Sequence, residues 1–147
     1  MDSKPGTYIL VLESSSDTIV EVGRWGLLEL KPGYYLYVGS AFGPGGVRAR
    51  VARHCRSKKS NRWHIDYLRA YTSLKSIWYC LDPEHLEHQW AEALADLHGM
   101  VPIHGFGCSD CKCYSHLCFS RYQPELVTFV HAVGQSVLTG NCDLFET

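Results

Sequence analysis

The stretch Gly33–Ser40, GYYLYVGS, puts three tyrosines into a strand-like run that stops at Val38-Gly39-Ser40. A strand that only packs is built from Val, Ile and Leu, so phenols at this density suggest that a polar tip is wanted. Arg50 and His54 follow four residues apart, on one side of a helix beginning near Val47. On a helical wheel both lie beside the Val47, Val51, Cys55 stripe, at the margin of a core. An arginine so placed, next to a tyrosine-bearing strand, can offer a phosphate a bidentate fork; its ordinary alternative is a surface carboxylate partner. Glu87 stands at the edge of a second stripe formed by Leu86, Trp90, Ala93, Leu94 and Leu97. It projects about 20° beyond Leu94, whereas Glu84 and Glu92 fall well outside the stripe. A half-buried carboxylate needs a cation or hydrogen bonds; a surface acid near a helix N-terminus needs neither.

The net charge of −1 hides an uneven distribution. Arg48, Arg50, Arg53, Arg56, Lys58, Lys59 and Arg62 supply seven of the 14 basic residues, with no acidic residue between them. Arg53 and Arg56 are expected to face solvent. Such a stripe is either the footprint of a phosphate-backbone partner or a solvated helix face and loop. Cys108-x-x-Cys111-x-Cys113-x-x-His116 carries metal-type side chains. The single-residue step from Cys111 to Cys113 is tight for tetrahedral zinc, so buried thiols and a structural Asp110 are expected and zinc is not. In WHIDYL, His64 and Asp66 either line a cleft or act as hydrogen-bonded structural groups.

The elements that must position these residues read as one α/β domain over 1–147. A composition of 46% hydrophobic and 20% charged residues excludes a disordered chain. No apolar run approaches a membrane span, and MDSKPGTYIL lacks the apolar core of a secretory signal, so a cytoplasmic setting with reduced thiols is expected. TYILVLE, residues 7–13, reads as a buried strand, with Thr18–Val22 as its hairpin partner across Ser14–Asp17. Leu27–Leu30 turns at Lys31-Pro32-Gly33 into Tyr34–Val38, and the AFGPGG loop opens the first helix. Asn61 is the expected cap of a helix over WHIDYLRAY, and Ser76–Leu81 reads as a strand. Asp82 and Pro83 should start a helix ending near Gly99. GFGCSDCKCYSHLCF is loop then strand, and a last helix runs from Pro124 to about Gly134.

Gly6-Thr7-Tyr8 opening a strand, Tyr37-Val38-Gly39 closing a later one, and Arg50-x-x-x-His54 in the next helix resemble the GIY-YIG nuclease superfamily. The combination GYYLYVGSAFGPGGVRARVARH, WHIDYL and GFGCSDCKCYSHL is similar to an uncharacterised prokaryotic and archaeal branch of it, over about residues 6–120. The resemblance implies a small antiparallel sheet flanked by helices, with DTIVEVGRWGLLEL looping out as an extra hairpin. It implies phosphodiester hydrolysis assisted by one Mg²⁺ or Mn²⁺ held by Glu87. Tyr8 would orient or activate the attacking water, and Tyr37 would help hold the nucleophile and phosphate. Arg50 would stabilise the developing charge, with His54 beside it. Gly39, Ser40, His64, Asp110 and His116 would line the cleft. The partner implied is nucleic acid, DNA before RNA. Two other classes remain open: a non-catalytic nucleic-acid-binding module on the same fold, which would survive loss of Glu87, and a zinc-stabilised interaction domain.

Overall fold

The computed structural model describes residues 3–56, 61–107 and 115–146. Strand β1, Gly6–Ser14, is apolar at most positions and therefore needs cover on both faces. It receives that cover inside a six-stranded antiparallel sheet. The other strands are β4 (Gly33–Ala41), β5 (Ser73–Cys80), β6 (Met100–Pro102), β7 (Leu117–Ser120) and β8 (Leu138–Gly140), in the order β6-β7-β4-β1-β5-β8.

Alternation along β1 divides the interior in two. Tyr8, Leu10 and Leu12 enter one core with Val47 and Val51 of helix α1 (Gly46–Cys55) and with Ile65 and Leu68 of α2 (His64–Arg69). Ile9 and Val11 enter the other, with Trp90 and Leu94 of α3 (Glu87–Ala95) and Phe129 of α4 (Leu126–Val133). The fold is α+β, with helices on both faces of the sheet. No helix among the described residues is long and apolar enough to cross a membrane.

Several local expectations are corrected. Thr18–Val22 forms β2 but does not pair with β1, both of whose edges are taken by β4 and β5. It pairs with β3 (Gly26–Leu30) in a separate hairpin. Val20, Val22, Leu28 and Leu30 alternate inward from that hairpin and seal the first core. Asp82 caps only a local turn, accepting from the Glu84 amide at 2.9 Å, and α3 starts five residues later, once Leu86 has entered the core. Ala91, rather than Ala93, is the buried alanine of α3. Asn61 does not cap α2. Asp66, inside the helix, accepts from the Arg62 and Trp63 amides at 2.8 and 2.9 Å, since a carboxylate suits free N–H groups at a helix start.

Beyond Gly134, whose positive φ closes α4 as expected, the chain adds β8 and a short helix α5, Cys142–Phe145. Cys142 is bonded to Cys55 at the end of α1, with 5.8 Å between the Cα atoms. The expectation of reduced thiols fails for this pair. Cys80 and Cys118 are free and buried.

Candidate active site

The cleft exists because one ladder stops early. β7 pairs with β4 only as far as Tyr37 and Leu117, with a last bond from the Val38 amide to the His116 carbonyl at 2.8 Å. Past that point β4 has no β7 partner among the described residues, and side chains from opposite faces of the sheet meet around that edge. Tyr8, Tyr37 and Arg50 arrive from the α1 side; Ser40 and Glu87 arrive from the α3 side. Together with Gly39 and His64 they line a cleft of about 260 Å³.

Glycine at 39 has a steric cause. It faces Tyr8 across the β1–β4 ladder, and a Cβ there would sit 2.5 Å from the phenol carbon and oxygen of Tyr8. Gly6 is needed too, because a Cβ would run into the Cys80 carbonyl. Both glycines let a large ring and a helix settle directly on the sheet.

Tyr8 is buried, and its hydroxyl lies 2.8 Å from Nε2 of His54, which is also buried. Burial raises the Tyr8 pKa, against the opposing pull of the Arg50 charge. Tyr37 is raised as well, first by burial and then by Tyr8 and Glu87. Both phenols are protonated at neutral pH. Tyr35 belongs to the core, where its oxygen accepts from the Lys31 amide at 3.0 Å, and the Tyr34 hydroxyl donates to Glu13 at 3.2 Å.

Arg50 donates to the Ser40 carbonyl at 3.1 Å and lies 4.5 Å from the Trp63 ring centroid. Arg53 and Arg62 also approach that indole, at 4.2 and 5.3 Å. One aromatic plate thus orders three cations, a favourable geometry for each of them. Arg50, Arg62 and Trp63 also wall a second basin of about 290 Å³ beside the Gly43–Gly46 loop.

The Glu87 carboxylate is half-buried and doubly held. Oε1 accepts from the Ser40 hydroxyl at 2.9 Å, and Oε2 lies 2.8 Å from Nδ1 of buried His116. Burial alone would raise its pKa. The hydrogen bond and charge of His116, with help from Ser40 and His88, outweigh that and leave it lowered. Glu87 is therefore a carboxylate over the whole neutral range. His64 accepts from the Gly107 amide at 3.0 Å through Nδ1, and burial lowers its pKa.

Not every expected site residue reaches the cleft wall. His54 sits one layer behind Tyr8, and His116 one layer behind Glu87. Arg53 does not face solvent. It forms a two-pronged pair with Asp66, both bonds 2.9 Å, and the Asp66 side chain is fully buried. That settles Asp66 as a structural group whose pKa is lowered: burial opposes the shift, but Arg53 and the two backbone amides prevail. Arg56 is exposed after α1, Arg48 is half-exposed on it, and Arg62 is exposed at the cleft rim. Lys58, Lys59, Asp110, Cys108, Cys111 and Cys113 lie outside the described residues. Trp63 and Gly107 line the cleft unforeseen; an aromatic between Arg62 and His64 was a signal for the first, while nothing local marks Gly107.

Among the described residues, Cys55, Cys142 and Glu146 are metal-type side chains within 4.8 Å of one another, but the two cysteines are bonded together. Searches of curated proteins and of solved structures each returned no match. A family model described as "Domain of unknown function DUF123" matches residues 7–139, a span that takes in the cleft and reaches into all six strands of the sheet. With that match covering most of its length, the chain belongs to the family of the domain of unknown function DUF123.

Proposed function

We propose that this protein binds nucleic acid and hydrolyses its phosphodiester bonds with one divalent cation, in the manner of the GIY-YIG nucleases that its motifs resemble. The observation that carries the reading is the meeting of Tyr8, Tyr37, Arg50 and Glu87 in one cleft, although they span 79 positions and come from both faces of the sheet.

The donor set fits a hard cation. Glu87 is ionised, oxygen-donating and partly open to the cleft, and a single carboxylate suffices for Mg²⁺ or Mn²⁺, which keeps several waters. When bound there, the cation supplies charge neutralisation at the phosphoryl oxygens. Ser40 and His116 hold the carboxylate in place for it.

Arg50, anchored by the Ser40 carbonyl and the Trp63 face, keeps N–H groups for a non-bridging oxygen and strengthens its hold as charge builds there. Tyr37 can donate to the same phosphate. Tyr8 cannot act as a ready-made phenolate, because burial keeps its proton on. With His54 Nε2 as acceptor, however, the Tyr8 proton points at His54, and its oxygen, which also accepts from Arg50, has a second lone pair to accept from a water. Tyr8 then orients the nucleophile, and His54 takes up the proton as attack proceeds.

The test is a panel of labelled single- and double-stranded DNA and RNA with Mg²⁺ or Mn²⁺. Native protein should cut at least one class, and Arg50→Ala and Glu87→Ala should each lose about two orders of magnitude or more while still binding. One observation favours a second reading, a non-catalytic binding module: both phenols facing the cleft are held protonated. Binding without cutting in every class, unchanged by Glu87→Ala, would establish it instead.

A further inference from the structure

Among the described residues His64 is the one imidazole on the cleft wall, and its hydrogen-bond partner fixes which nitrogen carries the hydrogen. Nδ1 lies 3.0 Å from the Gly107 amide. A backbone amide only donates, so Nδ1 must present its lone pair and the hydrogen must sit on Nε2. The ring is held edge-on by Phe106, 5.5 Å away at 69°, and its backbone is pinned in the first turn of α2. The remaining polar atom of His64 is a donor on a ring that shares the cleft with Arg50, Tyr37 and Glu87.

We propose that His64 is a neutral electrophile, donating a hydrogen bond from its Nε2–H to an anionic phosphoryl oxygen held in the cleft beside Arg50. The phosphodiester as ligand rests on the function proposed above; the tautomer and the anion contact do not. Protonating Nδ1 would set two N–H groups against each other at Gly107. The groups that share the cleft with His64 carry mixed charge: Arg50 and Arg62 are cationic, Glu87 is anionic, and the Tyr8 and Tyr37 phenols are uncharged. Burial favours the neutral form and lowers the His64 pKa. A neutral imidazole cannot protonate a leaving oxygen efficiently, but it can stabilise negative charge building on a non-bridging one, and it costs no extra positive charge beside Arg50. Its function is thus separable from that of a general acid.

The experiment uses the full-length protein and has two arms. In the first, long-range ¹H–¹⁵N imidazole spectra of the metal-free protein, assigned by loss of signal in His64→Gln, should show the Nε2–H tautomer at pH 7 with a pKa below the ordinary histidine value. Titrating inorganic phosphate should then shift the Nε2–H signal. An Nδ1–H tautomer, an imidazolium at pH 7, or a signal indifferent to phosphate overturns the proposal. In the second, single-turnover cleavage should fall about a hundredfold in His64→Leu with affinity changed less than threefold. His64→Gln, whose amide reaches close to the Nε2 position, should recover at least a tenth of the native rate. Native activity should show no loss between pH 6 and 8 that His64→Gln removes; such a limb would mean a general acid and overturn the proposal. If native protein cuts nothing yet His64 has the stated tautomer and responds to phosphate, the nuclease reading falls and the anion-donor assignment stands.

Discussion

The ring of Tyr8 lies across Gly39 on the neighbouring strand, and the two residues face each other in the β1–β4 register. A methyl group at 39 has no room, since it would meet the phenol at 2.5 Å. Gly39→Ala should therefore push the ring off the sheet and away from His54. The expected cost is about 1–3 kcal/mol by urea unfolding, the usual range for overpacking, with cleavage falling in parallel. Pairing it with Tyr8→Ala should cost less than the two single losses added together. A Gly39→Ala protein as stable and active as the native one would show that Tyr8 does not occupy this place.

Asp66 and Arg53 should give the fold a definite acid limit. The folded pKa of Asp66 is lowered, so its contribution to stability is complete above the ordinary carboxylate pKa near 4 and fades as pH falls through the lower folded value. Asp66→Asn should lower stability at pH 7 by about 3 kcal/mol, the lower end for breaking a buried pair because Arg53 keeps 15% side-chain exposure. The gap between the two melting temperatures should narrow on going from pH 6 to pH 3. A gap that stays constant with pH would refute the linkage.

The basic stripe should split into two kinds of arginine. Arg62, at the rim, is expected to contact phosphate: Arg62→Gln should reduce the slope of log affinity against log salt by roughly 1 and leave the melting temperature alone. Arg53→Gln should do the reverse in the first instance, unfolding at lower urea because it strands the buried Asp66 carboxylate. Anisotropy at several salt concentrations and a melting curve on each variant separate the two. Equal salt slopes for native protein and Arg62→Gln would remove Arg62 from the interface.

The Cys55–Cys142 bond closes a loop across 87 positions, and a link of that span is worth about 4–5 kcal/mol in the chain-entropy account. Cys142→Ser, or native protein in excess dithiothreitol, should unfold at correspondingly lower urea. The cleft should be less affected than the global stability, because α5 contributes no residue to its wall. Identical unfolding with and without reductant would mean that the bond does not form in solution.

Local signals in the sequence carried the cleft further than they carried the connections. Val47, Val51 and Cys55 stand where a 3.6-residue period puts them, and the margin beside them does hold Arg50. Glu87 is half-buried as the wheel implies, with one hydrogen bond from Ser40 and a close contact with His116. What failed was pairing across distance. Thr18–Val22 has the right pattern for a strand, but pattern does not say that both edges of β1 are already occupied. Helix geometry alone puts Arg53 on a solvent face, and only the fold of α2 brings Asp66 to it. Asp82 and Asn61 are good capping types that lost to Leu86 entering the core and to a carboxylate already buried for another reason. β8 is too short to show a period, and Asn141, whose side chain accepts from the Asp143 amide at 3.1 Å, is the one terminal signal of α5.

The β2–β3 hairpin touches no reacting group, yet its tip is not far removed from the cleft. Trp25, in the turn, meets Phe106 edge-on at 5.5 Å, and Phe106 meets His64 and Tyr37 in the same fashion at 5.5 and 6.4 Å. On the other side of the turn, Tyr67 of α2 would meet a Cβ placed at Gly23 at 3.2 Å. The hairpin is thus a buttress for the wall that carries His64. Whoever tries to transplant this cleft onto a shorter scaffold by copying the six strands and the three helices that supply its wall will have to carry the loop-out across as well, or supply some other ring where Trp25 now leans.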